Sequence, residues 1–208
     1  MDIQEKQLNR KSGFSLLELL VVIGILSILM VFASGVSMRS LVAYRLSSVA
    51  GKLDSDLNYG LQLASKLNRP VEIRFYRYTG TDDFKSQQFS SYQYLARRPS
   101  ETEFEQMSRV HQMETGIIIH PSTVFSSLLN QTVVEAGEHD PEIAIAGEKS
   151  KAYSYVSFKI RPDGTTSLKK DSIWTITIVE DNNAKSEELP RNYRTLVINP
   201  VNGAVTTY

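Results

Sequence analysis

The sequence predicts an α+β protein in which one long N-terminal helix is followed by an antiparallel, strand-rich domain. Three observations predict it. From Phe14 to Val36 runs an apolar stretch of 23 residues whose only ionisable member is Glu18. Beyond it Leu46, Val49, Leu53, Leu57, Leu61 (or Gly60), Ala64 and Leu67 recur every three or four residues, with Arg45, Lys52, Asp54, Asp56, Gln62 and Lys66 between them. That is the spacing of one buried helical face. After Pro70 the period falls to two, and short alternating runs separated by turn residues take over.

The apolar stretch comes first in the chain and in the argument. At a rise of ~1.5 Å per residue it is long enough to cross a hydrocarbon core roughly 30 Å thick. A carboxylate near the end of such a span costs on the order of 2 kcal/mol or more, so Glu18 is a functional candidate. Lys6, Arg10 and Lys11 precede the span, which places the N-terminus on the cytoplasmic side and everything beyond about Arg39 across the membrane. No Ala-x-Ala-like site follows the run, and the run is too long for the apolar region of a secretory signal peptide. A plain anchor leaves Gly13 and Glu18 unexplained.

The hexapeptide Gly13-Phe14-Ser15-Leu16-Leu17-Glu18, heading a hydrophobic span, resembles the processing site of type IV prepilins. The resemblance implies cleavage after Gly13 by a prepilin peptidase, N-methylation of the new terminal Phe14, and a role for Glu18 in assembling the subunit with other pilin-like subunits. It divides the chain into a leader at 1–13, a transmembrane half of the helix at 14–38, an amphipathic half at 39–68 and a β-rich periplasmic-side domain at 69–208. The implied location is the inner (cytoplasmic) membrane, single-pass, and then a fibre.

The helix is expected to stop at Asn68-Arg69-Pro70, because Pro70 biases Arg69 away from the helical region. Val71–Tyr78 follows as a half-buried strand, with Val71, Ile73 and Phe75 alternating against Glu72, Arg74 and Tyr76. A turn at Thr79–Asp83 leads to a strand at Ser91–Arg97. Ser100 and Glu103 have capping-box spacing and predict a short helix through Met107. Thr115–His120 reads as a strand stopped by Pro121, and Ser122–Asn130 as one or two helical turns. Asn130–Lys151 reads as an exposed loop. Strands resume at Tyr153–Ile160 and Ile173–Val179, separated by a turn in which Pro162 presets one dihedral and Gly164 tolerates a positive one. A polar loop covers Asp181–Arg191, and Leu196–Ile198, the Asn199–Gly203 turn and Ala204–Tyr208 close the chain as a hairpin. Predicted core residues beyond the helical stripe are Val71, Ile73, Phe75, Ile118, Phe158, Ile160, Ile176, Ile178, Val197 and Ile198.

The helix end Leu61–Leu67 running into Asn68-Arg69-Pro70-Val71 resembles the minor pseudopilin H of type II secretion and the related minor pilin T. Asn68–Tyr78, Gly116–Leu129, Phe158–Leu168 and Ile198–Gly203 look like the Verru_Chthon cassette protein D family, which is itself prepilin-like. These likenesses imply a pilin-like fold and an export route, with a secretion cargo as a further partner, and supply no activity.

Other chemistries find little support. The chain has 208 residues, no cysteine and a formal net charge of zero, and removing the leader leaves 20 basic and 21 acidic residues. His111, His120 and His139 share no metal-ligand spacing, and neither a Ser nucleophile elbow, an H-E-x-x-H pair nor a P-loop occurs. Asp181-Asn182-Asn183 begins like a calcium loop, but Lys185 stands where oxygen ligands are needed. No catalytic residue, metal or cofactor is expected. In the C-terminal stretch Arg161, Lys169, Lys170, Lys185, Arg191 and Arg194 are balanced by Asp163, Asp171, Glu180, Asp181, Glu187 and Glu188, so no nucleic-acid footprint is expected. The expected function is a structural subunit. A DNA-uptake minor pilin and a membrane-tethered binding domain outside any fibre are the alternatives.

Overall fold

A computed structural model describes residues 14–78, 87–97, 104–136 and 153–208, except for side chains at 33–39 and at a few strand ends. The expected leader at 1–13, the expected Thr79–Asp83 turn, Ser100, Glu103 and most of the predicted 130–151 loop lie outside the described residues. The chain divides into two compact units, Met1–Leu41 and Val42–Tyr208. One helix, α1 (Leu16–Leu67), runs through both.

In the first unit α1 from Leu19 to Phe32 is apolar apart from Ser27. Its large side chains from Leu16 to Phe32 are exposed, and a Cβ placed on Gly24 would meet nothing within 4 Å. Ser27, the polar residue in mid-run, returns its hydroxyl to the Ile23 carbonyl at 2.8 Å, so it adds no unsatisfied donor to an apolar surface.

In the second unit α1 is amphipathic, and it buries Leu46, Val49, Ala50, Leu53, Leu57 and Ala64. At the next position of the stripe Gly60 is buried and Leu61 only half-buried. A Cβ on Gly60 would lie 3.1 Å from Ile73 Cδ1 and 3.3 Å from Tyr94 Cε1. Glycine there lets the helix approach the sheet closely. The helix ends on Asn68, in the left-handed region at φ 51°. Asn68 N–H donates to Ser65 O and Arg69 N–H to Ala64 O, at 3.2 and 3.3 Å. This paired pattern is a Schellman cap, and asparagine tolerates the positive φ it requires. The capping Asn68 stands two residues before Pro70, and the last helical residue is Leu67.

Among the described residues ten strands make two antiparallel sheets rather than the single sheet expected. They are β1 (Val71–Tyr78), β2 (Ser91–Arg97), β3 (Phe104–Gln106), β4 (His111–Gln112), β5 (Ile117–Ile119), β6 (Val134–Ala136), β7 (Tyr153–Ile160), β8 (Trp174–Glu180), β9 (Arg194–Ile198) and β10 (Val205–Thr207). The first sheet has the order β3-β2-β1-β7-β6, with β4 also on β2, and the second β10-β9-β8-β5. Both present their inner faces to α1. Val71, Ile73, Phe75, Tyr92, Tyr94, Val156, Phe158 and Ile160 from the first sheet join Ile117, Ile119, Ile176, Ile178, Leu196 and Ile198 from the second in one core.

Several expectations are corrected. Phe104–Gln106 is a strand paired with Leu95–Arg97, not the end of a helix. Val134–Ala136 pairs with Tyr153–Tyr155 inside the stretch read as loop. Val197 is half-buried, because inward positions on β9 fall at Leu196 and Ile198. Ile118 is buried as expected, in a separate cluster with Val179 and Ala184. Ile173 is 75% exposed and precedes β8. The strand β1, expected to be half-buried, is buried on both faces. Glu72 and Arg74 are each 5% exposed and pair at 2.7 Å, Lys159 stands 3.8 Å from the second carboxylate oxygen, and the guanidinium lies 4.4 Å from the Tyr155 ring centroid. Burial works most strongly against the Arg74 charge, but the charge and hydrogen bond of Glu72, with Tyr155 and Tyr76, together raise the guanidinium pKa.

The hairpin turn before β10 rests on the helix. Gly203 has φ 69°, and a Cβ there would come within 2.8 Å of Leu61 Cδ1. Between β5 and β8 the ladder is continued by side chains. Thr175 and Thr177 hydroxyls donate to Phe125 O at 2.9 and 2.6 Å, while Ser126 and Ser127 hydroxyls accept the Thr177 and Thr175 amides at 3.2 and 2.8 Å. The short 3₁₀ turn Ser127–Asn130 follows that seam.

Leu57 is 1% exposed and lies in the shared core. Leu57→Ala is expected to lower unfolding free energy by about 2–5 kcal/mol. Denaturant titration of the detergent-solubilised chain, followed by fluorescence of Trp174 as the only tryptophan, measures it. An unchanged midpoint would count against packing of the helix on both sheets.

Candidate functional site

The residues singled out at the N-terminus fall at the start of α1. Phe14 and Ser15 precede the helix, and Gly13 lies outside the described residues. The Ser15 carbonyl accepts the first helical bond, from Leu19 N–H at 3.2 Å, and the Ser15 hydroxyl accepts Glu18 N–H at 3.1 Å. Ser15 is therefore the N-cap and Glu18 the third helical residue, where a carboxylate complements the positive end of the helix dipole. Ser15 was not recognised from the sequence, although Ser15-x-x-Glu18 carries the same capping-box spacing read at Ser100 and Glu103.

Glu18 is exposed at the head of a surface on which Phe14 is 81%, Leu16 88% and Leu17 74% exposed. Exposed large apolar side chains continue to Phe32. A contiguous apolar surface of this extent marks an interaction site. Among the described residues no helix is long and apolar enough to cross a membrane. The described part of the run, Leu16 to Phe32, is 17 residues and about 25 Å of helix, and the sequence carries the run on to Val36.

Elsewhere the titratable groups serve packing. The His111 ring stacks on Tyr92 with centroids 5.2 Å apart and planes 8° from parallel, and its Nδ1 is 3.9 Å from an Asp56 carboxylate oxygen. Tyr92 donates its hydroxyl to that same oxygen, and burial, followed by the Asp56 bond, pushes the Tyr92 pKa well above its ordinary value. A groove of about 260 Å³ beside this cluster is lined by Lys52, Leu53, Tyr92, Met113 and Glu114 among others. His139 lies outside the described residues. Asp181–Asn183 forms a 3₁₀ turn in which Asn182 Oδ1 accepts from Asn183. Among the described residues no group of three or more metal-ligating side chains comes together. Of the C-terminal basic residues, Arg161 donates to Thr166 O at 2.7 Å and Arg194 to Ser47 Oγ at 2.8 Å.

With this geometry in place, comparison with known proteins is informative at the N-terminus. Residues 8–34 match the family described as the prokaryotic N-terminal methylation motif. The chain is prepilin-like there, and the match spans the capped helix start, Glu18 and the exposed apolar run. The type IV minor pilin FimU of Pseudomonas aeruginosa is structurally similar at a TM-score of 0.41 and 15% identity, over 78% of this chain and 92% of that one. Among curated proteins none matches the chain.

His120 is buried between β5 and the segment after it. Its Nδ1 accepts Ser122 N–H at 3.1 Å, while Nε2, which looks toward the Ser186 backbone, makes no bond of ordinary geometry. Burial lowers its pKa from the ordinary 6.5. The unfolded chain then binds a proton at a pH where the native state does not, so stability rises with pH across this window. The contribution is fully present above about 6.5 and is lost as pH falls from there through the lower native value. Thermal midpoints of wild type and His120→Asn at pH 5 and pH 7 test this, and the wild type should lose more on acidification. Equal losses would exclude His120 as the titrating group.

Proposed function

We propose that the protein is a non-enzymatic, minor pseudopilin-like subunit of a type II secretion pseudopilus or type IV pilus-like fibre. The observation that carries this reading is the uncovered apolar helix headed by a serine cap and a carboxylate one turn in, within a stretch matching the N-terminal methylation motif. Before assembly, residues 14–38 hold the chain in the inner membrane with the strand-rich domain on the periplasmic side. A peptidase cuts after Gly13, where a small residue gives access to the bond, and Phe14 is N-methylated. The freed amine of Phe14 and the Glu18 carboxylate of an adjacent subunit pair in a medium of low dielectric. There an unpaired charge is costly and a paired one sets register. Unit Val42–Tyr208 supplies the face that meets partner subunits or cargo.

Intact-mass analysis of membrane-extracted protein should show a chain beginning at Phe14 and one methyl group heavier than the bare fragment, and Gly13→Val should leave the chain uncut. Protein still beginning at Met1 in cells with active peptidase would overturn the processing step.

Glu18→Ala should leave insertion and cleavage intact while lowering recovery of the protein in sheared or affinity-isolated fibres by at least about tenfold, the equivalent of ~1.4 kcal/mol. Undiminished incorporation would remove the docking role from Glu18. An uncut chain that joins no fibre would instead fit a membrane-tethered binding domain.

A further inference from the structure

The helix α1 starts at a defined residue, and what defines it lies beside the bond proposed for cleavage. Ser15 Oγ holds Glu18 N–H at 3.1 Å, and the next bond of the series, Leu19 N–H to Ser15 O at 3.2 Å, is helical. Phe14 stands outside the helix and is 81% exposed. The reciprocal half of a capping box, Ser15 N–H to the Glu18 carboxylate, is not formed, so the carboxylate stays outside the capping bonds.

A strongly helix-forming run in an apolar medium tends to extend toward its N-terminus, because each free amide there is costly. Growth by one residue would transfer Glu18 N–H to the Phe14 carbonyl. Growth by a second would transfer Leu17 N–H to the carbonyl of Gly13. That last carbonyl carbon is the one a peptidase must reach, and a carbonyl engaged in a helix is withheld from attack. Ser15 Oγ occupies the donor needed for the first step and so blocks both.

We propose that Ser15 is a positioning residue for leader removal: its hydroxyl caps α1 at Glu18 N–H and keeps the Gly13–Phe14 peptide bond out of the helix for the peptidase. The inference rests on the reading that the chain is cut after Gly13. In the step it serves, a water oxygen adds to the Gly13 carbonyl carbon and the C–N bond to Phe14 breaks. The Phe14 nitrogen takes a proton, leaving a carboxylate on the leader and an amine on the subunit.

The test uses the full-length chain in detergent micelles with purified prepilin peptidase, following leader loss by intact mass. Ser15→Ala and Ser15→Val, which cannot cap, should be cut roughly fivefold more slowly than wild type, the size of a typical lost N-cap. Ser15→Thr and Ser15→Asn, which can cap, should stay within about twofold. The Thr and Val variants differ by one hydroxyl at nearly constant shape, so the pair separates capping from bulk. In parallel, the Phe14 Cα chemical shift in the uncut chain should move toward helical values in the Ala and Val variants only. Equal cleavage of all four variants overturns the proposal. So does slow cleavage of Thr and Asn alongside Ala and Val, which would mean the peptidase reads serine itself. Wild type left uncut after Gly13 overturns the inference together with the reading beneath it, whereas wild type cut normally with Ala cut as fast overturns the inference alone.

Discussion

The stripe that α1 buries between Leu46 and Ala64 is the constraint to which both sheets answer. The inner faces of both sheets share this single helix as their cover and join it in one core. Helix and first sheet come close at Gly60, where a Cβ would be crowded by Ile73 and Tyr94. Tight seating there sets the height of the helix above β1, and the Asn68 cap then turns the chain directly into that strand. The same stripe reaches the last hairpin through Leu61, which packs against the Gly203 turn.

The first half of the helix obeys the opposite rule. From Leu16 to Phe32 its large apolar side chains are left exposed by the described residues, and its mid-run serine is satisfied internally. A surface of that kind is stable in lipid or among other apolar helices, not in water. The helix thus carries two solvation requirements in sequence, and a chain that leaves lipid for a fibre would meet both with one continuous element. The capped start at Ser15 and the carboxylate at Glu18 lie at the far end of the apolar half, where the chain enters it.

Outside the core, the second unit is finished by polar groups that are paired rather than removed. Glu72 and Arg74 lie on the central strand β1 with almost no exposure, and Lys159 and the Tyr155 ring complete their surroundings. Such a pair is weak evidence for stability, but losing one partner would leave a buried charge uncompensated. The Ser126–Ser127 and Thr175–Thr177 seam does similar service at the β8 edge. Hydroxyls take up backbone groups there that a neighbouring strand would otherwise claim.

Local periodicity was enough to place α1, its amphipathic second half, and the strands at Val71–Tyr78, Ser91–Arg97 and Tyr153–Ile160, because each is a long run with a clear side-chain period. The N-terminal motif was equally legible, being contiguous and headed by an unusual residue for an apolar run. Tertiary structure decided what local period cannot encode. Ser-x-x-Glu spacing opens a helix at Ser15, where a long run of helix formers follows. The same spacing at Ser100 precedes a strand, because Phe104–Gln106 finds open backbone groups on β2. Three consecutive isoleucines at Ile117–Ile119 do not say which face is inner, and only pairing with β8 sends Ile117 and Ile119 to the helix and Ile118 to Val179. Division into two sheets, double-sided burial of β1 and the hydroxyl seam all rest on partners far away in sequence. Which backbone edge and which face a residue meets is settled when distant segments pack, and no window of neighbouring residues contains that information.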